Sequence, residues 1–206
     1  MKKILIVLIG ITLIATFGMN ASAETTTDPT GDVWHWHYTS GTYGWDTSVG
    51  TKPNIDVTEI EYNINEDLIT IALEVAGTIS SSELINYQVY LNTSDSYYMF
   101  NWAEGQGMGM AMSTGGDSYK INDSPIITVN GNTLSATFDV VGSFTTGLVL
   151  WGWAAEYTTV GDTTSEWWAD WAPNEQSPYY DEATGEDNGD ENGNGDSGDT
   201  GDSGDN

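Results

Sequence analysis

Four aspartates of this chain lie in or beside turn-like segments and could together bind a cation. Asp28 and Asp32 flank a Pro-Thr-Gly turn, Asp56 lies between two apolar residues, and Asp170 comes near the end of the candidate domain. Carboxylate oxygens from turns where strand ends meet are typical ligands of Ca²⁺. An Asp in a turn also commonly bonds its own backbone. Two interpretations follow: four self-bonded turns, or one shared calcium site.

Two histidines could begin a transition-metal site. His35 and His37 are two positions apart, so on a strand they share the face opposite Trp34 and Trp36. Paired imidazoles are typical zinc or copper ligands. The chain has only these two histidines, so carboxylates or methionines would have to complete the site. We expect two exposed histidines, with the metal site as the alternative.

Three methionines could bind Cu(I). Met108, Met110 and Met112 alternate with small residues and would line one face of a strand. Thioethers in a row suit this soft ion, but methionines also fill irregular gaps in cores. We expect them to line the core or a pocket.

The balance of aromatic residues favours a sugar-binding surface. The chain has 9 Trp and 11 Tyr against 4 Phe, and rings with a polar group suit half-wet surfaces. The alternative is that most of these rings pack the core. The candidate platform residues are Trp34, Trp36, Trp45, Trp102, Trp151 and Trp153.

Two glutamates must be considered for catalysis. Small secreted glycosidases need two carboxylates about 5 to 9.5 Å apart, and Glu104 and Glu156, each close after a tryptophan, are the candidates. The chain has no G-x-S-x-G sequence and no cysteine nucleophile. We therefore expect no enzymatic activity.

The elements that must position these residues are β-strands. Apolar and polar residues alternate between Asn54 and Tyr157, with turn residues every eight to twelve positions, which is typical of an antiparallel sandwich or barrel. Asn130-Gly131 predicts a two-residue hairpin turn. The apolar parity switches between Val57 and Ile60, which predicts a β-bulge near Thr58-Glu59.

The two ends of the chain differ from this domain. Lys2 and Lys3, an apolar run and Ala21-Ser22-Ala23 have the layout of a secretory signal peptide, residues 1–23. Residues 181–206 are rich in Asp, Gly and Asn, so a disordered acidic tail is predicted there. The β domain then spans residues 24–180. Without cysteines it must be stable without disulfides.

The charge limits the partners of the mature chain. Removal of the signal leaves Lys52 and Lys120 against all 31 acidic residues. Nucleic acid and anionic membrane surfaces are therefore excluded as expected partners, and the mature chain is predicted to have no membrane span. Cations, neutral polymers and basic partners remain.

Several short motifs resemble a known family. They are Gly31-Asp32-Val33, Pro53–Thr58, Leu68–Gly77 and Asp170-Trp171-Ala172-Pro173. Over residues 28–174 the chain resembles exported β-sandwich domains of archaea and bacteria related to family-nine carbohydrate-binding modules and DOMON domains. The resemblance implies an immunoglobulin-like or jelly-roll sandwich that binds sugar or haem. Haem-binding members use a Met and a His as axial ligands, and no such pair is matched here.

These observations together predict an extracellular, secreted or cell-surface binding module without catalytic activity. Its expected ligand is neutral carbohydrate, as a polysaccharide or a component of the cell envelope, with calcium as the only candidate cofactor. The alternatives are a structural cell-envelope protein, a small jelly-roll glycosidase, and a haem- or copper-binding domain.

Overall fold

The protein folds as an antiparallel β-sandwich, as the alternating pattern predicts. The computed structural model describes residues 23–46, 52–113, 121–122, 125–142 and 148–184. In chain order the strands are β1 (Ala23–Thr27), β2 (Trp34–Thr39), β3 (Thr42–Asp46), β4 (Val57–Asn65), β5 (Leu68–Val75), β6 (Ile85–Asn92), β7 (Ser96–Ala103), β8 (Gln106–Ser113), β9 (Ile121–Asn122), β10 (Ile126–Asn130), β11 (Thr133–Asp139), β12 (Val149–Tyr157) and β13 (Trp167–Ala172). A 3₁₀ turn (Asn174–Gln176) and a short helix α1 (Tyr180–Thr184) follow.

The strands form two sheets of unequal width. The smaller sheet has the order β1-β4-β5-β11-β10, and the larger has the order β3-β2-β13-β12-β6-β7-β8-β9. Every neighbouring pair is antiparallel. The chain therefore brings its first and last long strands together, because β13 lies between β2 and β12 in the larger sheet.

The main core lies between the two sheets. Ile69, Ile71 and Leu73 of β5 are fully buried, and so are Tyr87 and Val89 of β6. These residues occupy alternate positions, so each strand places one face in the core, as predicted. Burying an aliphatic side chain of this size stabilises a fold by about 1.5–3 kcal/mol. The inner face of the larger sheet packs on this core, and the outer face of that sheet points away from the smaller sheet.

The predicted bulge is confirmed in β4. Its pairing with β5 shifts register between Val57 and Glu59, so Thr58 is the extra residue. Val57 and Ile60 are both fully buried in spite of their opposite parity. The bulge thus lets the whole strand keep its apolar face on the core.

The predicted hairpin between β10 and β11 is confirmed, but its turn lies one residue later. Asn130 pairs with Thr133, so Gly131 and Asn132 are the central residues. Gly131 has a φ of +64°, and a glycine at the first central position is typical of a type II′ turn. The Asn-Gly pair therefore predicts the hairpin correctly but not which two residues are central in its turn.

Residues at the two ends of the chain are only partly described. Ala23 is the first residue of β1, and residues 1–22 of the predicted signal peptide lie outside the described residues. Asp181–Thr184, where the predicted tail begins, belong to α1, and residues 185–206 lie outside the described residues. Within the described ranges, no helix is both long and apolar enough to cross a membrane.

Candidate functional sites

A second apolar cluster covers the outer face of the larger sheet. Its buried members alternate with core residues along β2, β12 and β13, so they point away from the smaller sheet. Partly buried rings surround them. The buried members are Trp34, Ala155, Trp167, Ala169 and Trp171, and the surrounding rings are Trp36, Trp45, Trp153, Tyr157 and Tyr180. We call this set the aromatic cluster.

The rings of the aromatic cluster pack against one another and against the end of the domain. The ring centroid of Trp34 lies 5.1 Å from that of Trp171 and 6.2 Å from that of Tyr180. The ring of Tyr179 lies 5.3 Å from that of Trp45. Such pairs each contribute about 0.5–1.5 kcal/mol beyond the area they bury. Trp34 is only 3% exposed, so its predicted place on an open platform is wrong.

Beside the aromatic cluster lies a cleft of about 240 Å³. Its walls are the rings of tryptophans and tyrosines, with one glutamine, one threonine and one proline. None of the described residues that line it is charged at neutral pH. The lining residues are Gln88, Tyr90, Trp151, Trp153, Tyr157, Thr163, Trp167, Trp171, Pro178 and Tyr179.

The cleft presents ring faces in fixed orientations. Trp151 stacks on Tyr90 with centroids 4.2 Å apart and planes 15° apart. Trp153 lies nearly parallel to Trp171 at 6.3 Å. Burial raises the pKa of the Tyr90 and Tyr157 hydroxyls, so both stay neutral donors at physiological pH. The cleft thus combines rigid apolar faces with uncharged polar groups.

Gln88 is the one amide in the cleft. Its Oε1 accepts hydrogen bonds from Trp153 Nε1 at 3.3 Å and from the hydroxyl of Tyr90. Its side-chain nitrogen makes no hydrogen bond within the described part of the chain. A side-chain amide nitrogen carries two donors. Gln88 is therefore held in place by its oxygen while its donors stay available to a ligand.

A smaller cavity of about 70 Å³ lies next to the cleft, with Trp36, Trp45, Thr163, Trp167 and Tyr179 as its lining. The indole nitrogens of its three tryptophans are buried and have no hydrogen-bond partner among the described residues. A buried unpaired donor costs about 1–3 kcal/mol. These N–H groups would be satisfied by the oxygen atoms of a ligand or by water.

The six predicted platform residues therefore lie in different parts of the structure. Trp151 and Trp153 line the cleft, and Trp36 and Trp45 line the smaller cavity. Trp102 packs against the core between the sheets and donates from Nε1 to the Ser80 carbonyl at 3.1 Å, so its predicted place on the platform is wrong. Gln88 and Tyr90 were missed, although both alternate with the buried Tyr87 and Val89 and hence face outward.

The predicted acidic residues come together at one edge of the sandwich. Asp28, Asp32 and Asp170 offer carboxylate oxygens that all lie within 4.8 Å of one another. Asp28 follows β1, and Asp170 lies in β13 and is fully buried. Chain segments 142 residues apart are joined here, because Asn174 Nδ2 donates to Asp32 Oδ2 at 2.9 Å. We call these residues, Asp28, Asp32, Asp170 and Asn174, the acidic site.

Several oxygens of the acidic site lack a partner. Asp28 Oδ2, Asp32 Oδ1 and Asn174 Oδ1 are buried and accept no hydrogen bond from any described residue. Asp56, the fourth predicted member, is used differently, since both its oxygens accept from the Gly31 backbone N–H at 2.9 and 3.1 Å. Asp56 therefore stabilises the Asp28–Asp32 turn. Asn174 supplies a side-chain oxygen that was not predicted from the sequence.

Two carboxylates of the acidic site, Asp28 and Asp170, have raised pKa values. Burial raises the pKa of Asp28 from 3.8 to about 8, and the charges of Asp32, Glu175 and Asp56 add to this rise. Burial, with the charges of Asp32 and Asp28, also raises the pKa of Asp170. A hard cation with several oxygen ligands would reverse both effects. The donor set of carboxylate and amide oxygens fits Ca²⁺.

The histidines and methionines take different faces of the larger sheet. His35 and His37 lie opposite Trp34, as predicted, but they are half-buried rather than exposed. Met110 pairs with Met99 and Met112 with Tyr97 on the outer face, where Met108 is 67% exposed. The predicted core position of the methionines is wrong. Gly109 and Ala111, which lie between them, are buried on the core side instead, where a Cβ on Gly109 would meet Phe138.

The two glutamates considered for catalysis have different surroundings. Glu104 is exposed in the turn between β7 and β8. Glu156 is half-buried in β12 and forms an ion pair with Lys52 at 2.6 Å. Lys52 also lies over the ring of Trp168 at 3.8 Å. Neither glutamate lines the cleft.

No family model, no curated protein and no solved structure matches this chain. The function of the chain is therefore inferred from the residues of the cleft and of the acidic site.

Proposed function

We propose that this protein is a non-catalytic binding module of the cell exterior whose ligand is neutral carbohydrate. The observation that carries the proposal is the cleft lined by Tyr90, Trp151, Trp153 and their neighbours, with aromatic walls and, among the described residues, no charged side chain in its lining. The signal-like segment at residues 1–23 supports export. The ligand would be a polysaccharide or another glycan of the cell surface.

Sugar rings and aromatic rings are complementary in a definite way. The C–H groups on one face of a pyranose pack against an indole or phenol ring, while its hydroxyls need hydrogen-bond partners around the edge. The stacked pair Tyr90 and Trp151 supplies the flat face. The amide nitrogen of Gln88, whose oxygen is held by Trp153 and Tyr90, supplies donors.

The charge of the chain favours the same class of ligand. Acidic glycans and nucleic acids would be repelled by a protein with 31 acidic and 4 basic residues. A neutral sugar carries no such penalty, and its binding should change little with ionic strength. The absence of charge in the lining agrees with this ligand.

The acidic site supports a second, structural role within the same module. We propose that Asp28, Asp32, Asp170 and Asn174 bind Ca²⁺ and thereby tie the first turn of the domain to its last strand. Their buried, unpartnered oxygens support this assignment. The ion would stabilise the fold that presents the cleft, rather than contact the sugar.

The proposal is tested by retention of the secreted chain on insoluble neutral polysaccharides and on a glycan array. Trp151→Ala and Trp153→Ala should each lower retention at least tenfold, since stacking surface is lost. The matched control is Tyr38→Ala, because Tyr38 is an exposed ring on the same sheet outside the cleft. High salt should leave wild-type retention nearly unchanged.

Two results would replace the proposal. If the folded protein is retained by no polysaccharide, or Tyr38→Ala acts as strongly as Trp151→Ala, a structural cell-envelope role is favoured. If reducing sugar is released and Glu104→Ala or Glu156→Ala abolishes the release, the protein is a glycosidase.

A further inference from the structure

The hairpin of β2 and β3 brings two imidazoles and a carboxylate together. His35 pairs directly with Asp46 across the hairpin, and His37 is two positions along the same face. One donor atom from each of these three residues lies within 4.8 Å of the other two. Strand β3 is at the edge of the larger sheet, and its Asp46 side chain is exposed there.

The distances between the donor atoms suit a metal better than direct hydrogen bonds. His37 Nδ1 lies 3.4 Å and His35 Nδ1 lies 3.8 Å from the same oxygen, Asp46 Oδ2. A hydrogen bond between nitrogen and oxygen is usually 2.7–3.2 Å long. Two ligands about 2.0–2.2 Å from a tetrahedral zinc ion lie about 3.4 Å apart. The two nitrogen-to-oxygen distances are therefore close to the edge length of a zinc tetrahedron.

One of these donors is shielded from water and makes no hydrogen bond. His37 Nδ1 is buried and makes no hydrogen bond within the described ranges of the chain. A buried nitrogen that makes no hydrogen bond to water or protein carries an energetic cost. A metal ion bound to Nδ1 would remove that cost.

A fourth residue fixes the ring of His35. Its Nε2 lies 2.7 Å from Glu166 Oε1, and its ring stacks on that of Trp168 with centroids 4.8 Å apart and planes 4° apart. If Nε2 donates to Glu166, the lone pair of a neutral His35 is on Nδ1, the atom facing Asp46. A carboxylate that accepts the distal N–H of a ligating histidine is the usual support of a zinc site.

We propose that His35, His37 and Asp46 bind a divalent transition-metal ion of the zinc type, with Glu166 as a positioning residue. The side chain of Asp46 is 62% exposed, so the ion has an open side where water or a ligand completes its coordination. Imidazole nitrogens select this class of ion over Ca²⁺, which prefers oxygen. The chain would then carry two metal sites of different chemistry, one of nitrogen and one of oxygen.

The test is calorimetric titration of the full chain with Zn²⁺ in the presence of millimolar Ca²⁺, which occupies carboxylate sites. One zinc ion per chain is expected. His37→Ala and Asp46→Asn should each weaken binding at least tenfold, and Glu166→Gln about tenfold or more. The control Glu61→Gln, which removes an exposed charge on the smaller sheet, should bind zinc like the wild type. Absence of saturable binding, or full binding by His37→Ala, would overturn the site.

A second measurement needs no variant. In ¹⁵N-labelled wild-type protein, the Nδ1 resonances of His35 and His37 should shift and saturate with one equivalent of Zn²⁺, while the resonance of His35 Nε2 keeps the shift of a protonated nitrogen. Unchanged Nδ1 resonances would show that His35 and Asp46 form only an ion pair.

Discussion

The carboxylate of Asp170 accepts a hydrogen bond from the backbone N–H of Val57 at 2.7 Å. Asp170 belongs to the larger sheet and Val57 begins the bulged strand of the smaller one. The other oxygen of Asp170 accepts from the Trp171 N–H at 3.1 Å. The hydrogen bond from Val57 joins the two sheets at the edge where Asp28 and Asp32 approach. Because Asp170 also holds the sheets together, Asp32 is the better residue to substitute in a test of calcium binding.

Calcium should raise the melting temperature of the protein through Asp32. A ligand that binds only the folded state stabilises it by RT ln(1 + [L]/Kd), so millimolar Ca²⁺ should raise Tm by several degrees. Asp32→Asn should abolish most of this rise, whereas Glu83→Gln, in an exposed loop, should not. Calorimetry with and without a chelator measures both. A rise that survives in the double variant Asp32→Asn, Asp170→Asn would place the ion elsewhere, in the acidic tail.

Without calcium, stability should fall as the pH rises from about 4 to about 8. The pKa of Asp28 is 3.8 in the unfolded reference and about 8 in the fold. Between these values only the unfolded chain loses its proton, so stability is fully present below pH 3.8 and lost towards pH 8. Because calcium binds the ionised carboxylate, its effect on Tm should be larger near pH 8 than near about pH 5. Equal calcium effects at both pH values would contradict this.

Tyr98→Phe should destabilise the fold by about 1–3 kcal/mol. The hydroxyl of Tyr98 donates to the Val141 carbonyl at 2.6 Å and accepts from the Val141 N–H at 2.7 Å. Its loss leaves both backbone groups buried and unpaired by this side chain. Denaturant unfolding measures the effect. Tyr97→Phe is the control, because Tyr97 faces outward on the same strand, and it should change stability by less than about 0.5 kcal/mol.

Gly109→Ala should cost about 1–3 kcal/mol of stability. A Cβ at this position would lie 2.7 Å from Pro125 Cγ and 2.9 Å from the Met99 carbonyl oxygen. The sheets would have to separate locally to accept it. Gly44→Ala is the matched control, because a Cβ on Gly44 meets nothing within 4 Å. Comparable unfolding free energies for the two variants would show that this contact yields easily.

The features that depend on neighbouring residues could be predicted from the sequence. Alternation placed Ile69, Ile71 and Leu73 on the buried face, and a parity change located the bulge at Thr58. Both follow from the period of two of a strand. The cluster of Asp28 with Asp170 was also among the expectations, since turns at strand ends meet at sandwich edges.

The features that depend on distant pairing could not be predicted. Trp34 has the sequence signature of an exposed ring, but Trp171 and Tyr180 cover it because β13 pairs with β2 and the chain then returns over the outer face. Asp46 comes close to the histidine pair through the register of the β2–β3 hairpin, and Glu166 contacts His35 from a loop. No local sequence pattern specifies either position. Asn174 reaches Asp32 in the same way.

The packing of the aromatic cluster gives the protein an internal optical reporter. Five of the six pairs among Trp34, Trp45, Trp167 and Trp171 have ring centroids 4.9–6.4 Å apart, close enough for their excited states to couple. Such coupling between indole transitions produces paired bands of opposite sign in far-ultraviolet circular dichroism, and these bands depend on the mutual angles of the rings. Because Tyr180 lies against Trp34, any release of the C-terminal segment would be visible in that spectrum without an added label.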